Sequence, residues 1–291
     1  MSSHSTGSSS PRRITRIVTG ARVTEGAGVK LRRLIGQPEL PMLDPFLMLD
    51  AFRSDDPGDY IAGFPPHPHR GFEAVTYLLA GRVRHRDSAG HEGVIEAGGI
   101  QWMTAGRGIV HSEMPEQEDG LLQGFQLWVN LPARHKMDRP AYQEHGADRL
   151  PLERRDGDVE VKVIAGTTSR GTRGPVVQPL TEPLYLDVLL PPGARFVEAL
   201  PTAHNGFVYV VTGTVGSSGD DGRPLRLESD RLGVLGRGTD VELWAEQGPV
   251  RFLLVAGRPL DEPVARGGPF VMNTAAEIEQ AFDDYRQGRF Q

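Results

Sequence analysis

Two pairs of segments in this chain are variants of each other. FEAVTYLLAG (72–81) lies over HNGFVYVVTG (204–213), with Tyr77 over Tyr209, Leu79 over Val211 and Gly81 over Gly213. AGRGIVHSEM (105–114) lies over LGRGTDVELW (235–244) at nearly the same displacement. A period this long is far beyond the roughly 20–50 residues of a solenoid unit, so it marks a duplicated domain. The repeated segments are rich in aromatic and β-branched residues and end at glycine, which is strand chemistry. The chain is therefore expected to hold two copies of one β-domain.

Composition agrees. Gly 36 and Pro 23 in 291 residues are frequent enough to punctuate many short strands, as a sandwich or barrel requires. EAVTYLLAGRVRHRDSAGHEGVIEAGGIQWMTAGRG (73–108) shows that rhythm, and GFQLWVNLP (124–132) and PLYLDVLLPPG (183–193) are further strands. The expected organisation is a disordered tail at 1–12, an N-terminal metal-binding domain at 13–135 and a connector at 136–180. A C-terminal domain without a metal site follows at 181–291 and ends in a helix. That helix is predicted in NTAAEIEQAFDDYRQGRF (273–290), capped by Asn273 or Thr274. Ile278, Phe282 and Tyr285 recur there at helical spacing and close the barrel.

The bulk chemistry excludes several functions. A net charge of -6 opposes direct nucleic-acid binding, which needs a basic surface. No apolar run is long enough to span a bilayer, and no basic amphipathic stretch suits a membrane surface. The Ser-rich start lacks the apolar core of a secretory signal, so a cytoplasmic location is expected. With Cys 0 there are no disulfides, thiolate metal sites or cysteine nucleophiles. Any metal must be held by His, Asp, Glu or backbone oxygen.

Two short patterns meet that requirement. HPHRGFE (67–73) carries His67 and His69, and VHSE (110–113) carries His111 and Glu113. Residues i and i+2 of a strand share a face, so two such strands facing each other in a barrel can deliver four ligands to one point. A lone HxH is common on surface strands, and Pro68 makes this stretch an edge, bulge or turn. The paired HxE and the second copy add weight. At the repeat displacement His67 falls on Ala199, His69 on Pro201, His111 on Val241 and Glu113 on Leu243, so only one copy has the polar set. Three imidazoles and a carboxylate suit Fe(II), Ni, Cu, Zn or Mn, with one or two positions left open. A divalent ion there keeps a net charge of about +1, which attracts an enolate, a catecholate or superoxide.

Glu73 is the rival carboxylate, because its parity favours the face of His67 and His69; it could instead orient a histidine N–H. His85 and His91 belong to a charged hairpin and are expected in solvent. His135 and His145 fall in the connector, and His204, with no candidate ligand near it in sequence, is expected to be structural or exposed. No GxSxG, P-loop or dinucleotide fingerprint is present.

The segments FPPHPHRGFEAVTYLLAG, IQWMTAGRGIVHSEMP, FQLWVNLP and GPFVMNT resemble the pirin family of bicupins, over about residues 14–290. The resemblance implies two double-stranded β-helix (cupin) domains with a short C-terminal helix, and one iron ion in the N-terminal domain. It places the ligands at His67, His69, His111 and Glu113, and so decides for Glu113 over Glu73. Some pirins are described as quercetin 2,3-dioxygenases, others as iron-dependent transcriptional cofactors or partners of metabolic enzymes. Two functions follow as expectations. The first is a ring-cleaving dioxygenase acting on a flavonol or related enol, with Glu113 as general base. The second is a redox-sensing regulator that binds a transcription factor or metabolic enzyme. A site that merely stabilises the barrel is a third possibility.

Overall fold

A computed structural model describes residues 10–290 of the chain. Most of the expected disordered tail (residues 1–9) lies outside the described residues. Within them, the chain is all-β with one α-helix, α1 (Ala275–Arg286). Among the described residues, no helix is long and apolar enough to cross a membrane.

The chain divides into two compact units, each assembled from three separate stretches of the sequence. One unit comprises residues 20–150, 175–182 and 258–290. The other comprises 10–19, 151–174 and 183–257. The boundaries 13–135 and 181–291 expected from chain order differ from this at both termini. Pro11–Arg12 pairs in parallel with Asp240–Val241, and Ile14–Val18 is an edge strand beside Leu232–Leu235. Helix α1 belongs instead to the unit of residues 20–150. A strand joins whichever sheet offers it an open ladder, and sequence distance costs little. The connector 136–180 is also structured, with strands Ala141–His145, Leu152–Arg155 and Val159–Ala165.

Five strands of the first unit carry the argument: β1 (Phe64–His69), β2 (Phe72–Ala80), β3 (Val83–Asp87), β4 (Ile109–Pro115) and β5 (Leu122–Asn130). β1, β4, β3 and Glu92–Ile95 form a four-stranded sheet in that order. β2 and β5 are central in a seven-stranded sheet. Phe72, Ala74, Met103, Ile109, Trp128 and Val271 form one apolar cluster of this unit.

The turn after β1 is firmly held. Gly71 has φ 87, and a Cβ there would collide with the Val271 carbonyl, so only glycine fits. Lys136 is buried and donates from Nζ to Gly71 O at 2.7 Å, Asn130 Oδ1 at 2.6 Å and Val271 O at 3.1 Å. Arg70 is buried too, and bonds the Arg107 carbonyl and, at 2.7 Å, Asp284 of α1. The helix carries the expected N-cap at Thr274, with a capping box to Glu277. Ile278 and Phe282 pack on Phe270, Ala281 and Phe290, as expected, whereas Tyr285, the third member of the expected stripe, is exposed, and the unit they cover is not the one expected.

In the second unit, β6 (Arg195–Ala199) pairs antiparallel with β7 (Asp240–Ala245). Here the register corrects the repeat alignment. His67 lies opposite His111 in the first unit, and Glu198 lies opposite Val241 in the second. Glu198 therefore takes the place of His67, and Leu200 that of His69, one residue before Ala199 and Pro201. A slip of one residue reverses every face: Glu198 and Leu200 are buried, while Ala199 and Pro201 are exposed. Val241 and Leu243 stand as aligned. The retained carboxylate has a protein partner, since Arg155 donates to Glu198 at 2.5 Å and to Glu153 at 2.5 Å.

Candidate metal centre

β1 and β4 are hydrogen-bonded neighbours in one sheet, not strands facing across the barrel as expected. Their register sets His67 directly opposite His111 and His69 opposite Ile109, with a bulge between His111 and Glu113. Directly opposed residues of an antiparallel pair have Cβ atoms about 5 Å apart. The three histidines thus converge by strand geometry alone. Each offers a ligand nitrogen, and these atoms all lie within 4.8 Å of one another.

The hydrogen bonds select the metal-binding form. His67 Nδ1 is 2.8 Å from Pro65 O, and His69 Nδ1 is 3.3 Å from Pro269 O. A carbonyl can only accept, so each Nδ1 carries a proton, and Nε2 is the nitrogen that a neutral ring would offer to a metal. Burial, with His67 nearby, pushes the His69 pKa down to about 3. Burial and the other histidines hold His111 well below the usual imidazole range. Both rings are therefore neutral at pH 7. His111 is 2% exposed, and neither of its ring nitrogens has a hydrogen-bond partner. An unpaired buried polar group costs on the order of 1–3 kcal/mol. A divalent cation among three neutral imidazoles supplies the missing partner, so the donor set fits a metal.

Glu113 is placed differently from the three histidines. It is buried on β4 and lines the same cavity as His67 and His69, yet it is not in the group of mutually close ligand atoms. Its Oε1 accepts from Thr76 Oγ1 at 2.8 Å, and Thr76 Oγ1 also lies 2.6 Å from Gln126 Oε1. One hydroxyl proton cannot serve both oxygens. Either Gln126 turns its amide N–H toward Thr76, or Glu113 carries a proton and donates it. Nothing in the sequence pattern singles out Thr76 or Gln126; only the β2–β5 pairing brings them beside Glu113.

Glu73 is excluded from the cluster. The Arg70–Gly71 turn breaks the strand between His69 and Glu73, so parity does not carry across it. Its carboxylate accepts from Thr104 Oγ1 at 2.7 Å and Gln178 Nε2 at 2.5 Å, and orients no histidine. Burial pushes its pKa up to about 7. His85 is buried, against expectation, with Nε2 2.6 Å from Glu144 Oε2. It belongs to the inward row of β3, with Val83 and Asp87. His91 instead sits on Asp87 at 3.0 Å. His135 bonds Asp138, and His204 is buried.

The cluster opens onto a cavity of about 900 Å³. Phe72 and Trp128 pack edge-on against His69, with ring centroids at 5.0 and 5.1 Å. Arg33 and Asp50 also line it, joined by two hydrogen bonds of 2.8 Å.

A duplicated β-barrel with a histidine cluster in one copy and an aliphatic and ion-paired interior in the other defines a bicupin with one metal-binding half. Comparison with known proteins is specific. The Pirin family model matches residues 28–129, and the Pirin C-terminal cupin domain matches 185–291. A pirin-like protein of Caulobacter vibrioides is 53% identical, covering 96% of this chain and 99% of that protein. The crystal structure of a quercetin 2,3-dioxygenase from Acinetobacter baumannii matches with TM-score 0.87 and 33% identity, covering 97% of this chain and 99% of that one. A bacterial pirin from Escherichia coli in complex with nickel(II) shares the fold, with TM-score 0.66 at 17% identity over 84% of this chain and 98% of that one. The chain belongs to the pirin family.

Proposed function

We propose that this protein is an oxygenase of the quercetin 2,3-dioxygenase type, using one divalent ion, iron, at His67, His69 and His111 with Glu113 as fourth ligand. The observation that carries the reading is the buried, unpartnered His111 within a histidine cluster beside an open cavity. The likeness to a solved quercetin 2,3-dioxygenase supports it.

When bound, the ion would supply a Lewis-acidic, redox-active centre for an enol substrate and dioxygen. The protein's own residues do the rest. The carbonyls of Pro65 and Pro269 fix the His67 and His69 rings in one tautomer. Phe72, Ile109 and Trp128 keep the surroundings of the cluster apolar. That strengthens electrostatic interactions with a charged oxygen donor. Glu113 takes the proton of the substrate hydroxyl, its Oε1 held by Thr76, which is itself bonded to Gln126. The two arrangements of the Thr76–Gln126 pair match its ionised and protonated states.

Protein loaded separately with Fe(II), Ni(II), Cu(II), Zn(II) and Mn(II) should consume quercetin and O2 together with at least one metal. Stoichiometric metal binding without turnover for any of them would remove the oxygenase reading and leave the site intact.

A further inference from the structure

One cation in the cavity has no carboxylate partner. Arg33 is committed, through two 2.8 Å hydrogen bonds to Asp50 and an ion pair to Glu25 at 2.9 Å. Arg266 is not. Its hydrogen-bond acceptors are Leu47 O at 3.4 Å and Met48 Sδ at 3.9 Å, both long, and no carboxylate among the described residues lies within ion-pair distance. Its guanidinium lies over the Trp128 ring, 5.0 Å from the centroid. The same indole packs edge-on against His69 at 5.1 Å. One aromatic ring therefore separates this guanidinium from the histidine cluster.

The backbone fixes that spacing. Arg266 sits in the hairpin of Ala265–Gly267 and Phe270–Met272. Pro269, in the same hairpin, supplies the carbonyl that holds His69 Nδ1. One short element thus positions both a candidate ligand and the cation. A guanidinium is a planar fork of five donors that matches a carboxylate, and stacking on an indole keeps its plane defined. Asp50 and Glu25 make their hydrogen bonds and ion pairs to Arg33 and reach Arg266 only through longer-range attraction, so the donors of the Arg266 fork are the ones on the cavity wall left without a carboxylate contact.

We infer that Arg266 selects substrates bearing a carboxylate in addition to the oxygen donor presented to the histidine cluster. This rests on the reading of the cavity as a substrate site. It refines that reading toward carboxylated enols, catechols or phenols, which should bind more tightly than an uncharged flavonol because only they offer Arg266 a carboxylate.

The test is anaerobic calorimetry on full-length, Fe(II)-loaded protein with three probes: catechol, 2,3-dihydroxybenzoate and 3,4-dihydroxybenzoate. Two isomers are used so that no span is presupposed. One or both benzoates should bind about 10- to 100-fold more tightly than catechol, the worth of a charge-assisted bidentate contact. Arg266→Gln should bring that ratio close to one, and Arg266→Lys should restore part of it. A wild-type ratio near one, or a ratio unchanged in Arg266→Gln, overturns the inference. Metal-free protein separates the two levels. If the benzoate preference persists there with undiminished affinity, Arg266 recognises carboxylates and the metal-centred reading fails. If no probe binds the loaded protein, both fall.

Discussion

Replacing His111 by leucine should stabilise the metal-free protein while destroying its response to metal. The wild-type ring buries two nitrogens with no hydrogen-bond partner. Each costs about 1–3 kcal/mol, and leucine removes both. The surroundings suit an aliphatic side chain, since Ile109, Phe72, Ala74 and Met103 are nearby members of the buried core. The second unit shows the substitution already made, with Val241 buried at the matching position. A shape mismatch takes back up to about 1.5 kcal/mol. Two nitrogens at that cost, less the mismatch, leave a net gain of at least about 0.5 kcal/mol and up to about 6, so the melting temperature should rise by a few degrees or more. Chelator-treated wild type and His111→Leu are compared by circular dichroism melts, then again with metal. A ligand at a thousand times its Kd adds about 4 kcal/mol to wild type and should add almost nothing to the variant. If metal-free His111→Leu melts below metal-free wild type, the nitrogens have partners in the folded state and the argument fails.

Three further outcomes follow. The native pKa of His69 is about 3, below its unfolded value, so the stability that depends on it is complete above about pH 6.5 and is lost as pH falls toward 3. Urea unfolding of metal-free protein at pH 7.5 and 4.5 should show a loss of a few kcal/mol, with a shallower slope in His69→Leu. Glu73 has the opposite sign. Its native pKa is raised to about 7, so its contribution is largest at low pH and declines as pH rises through that value. Wild type should lose about 2–3 kcal/mol relative to Glu73→Gln between pH 4.5 and 8, and parallel pH profiles would contradict this. Thr76→Val should weaken metal binding about 10- to 100-fold if Glu113 is a ligand, and an unchanged Kd would leave the three histidines as the whole site.

Much of this was legible in the residues. The repeat announced a duplicated β-domain, and HPH with VHSE picked out the three histidines that converge. The Thr274 cap and the Ile278–Phe282 stripe located the helix. What escaped was non-local. Sequence alignment could not detect the one-residue register change that puts Glu198, not Ala199, at the place of His67, because both sit in similar apolar and polar alternation. Glu73 stood as a rival to Glu113 because parity was carried through a turn, Arg70–Gly71, that resets it. His85 looked solvated among charged neighbours, yet its own alternation with Val83 and Asp87 already hinted at an inward row. The exchange of terminal segments between units leaves no local signature, and neither does Arg266. Its meaning comes from Trp128 and His69, far away in sequence.

The central claim is that one metal ion binds at the histidine cluster of the first unit and none in the second. Elemental analysis of purified, metal-reconstituted wild type and His111→Leu tests it most directly. The account predicts one metal per chain in wild type and close to none in the folded variant. Unchanged metal content in His111→Leu, or two metals per wild-type chain, would contradict it.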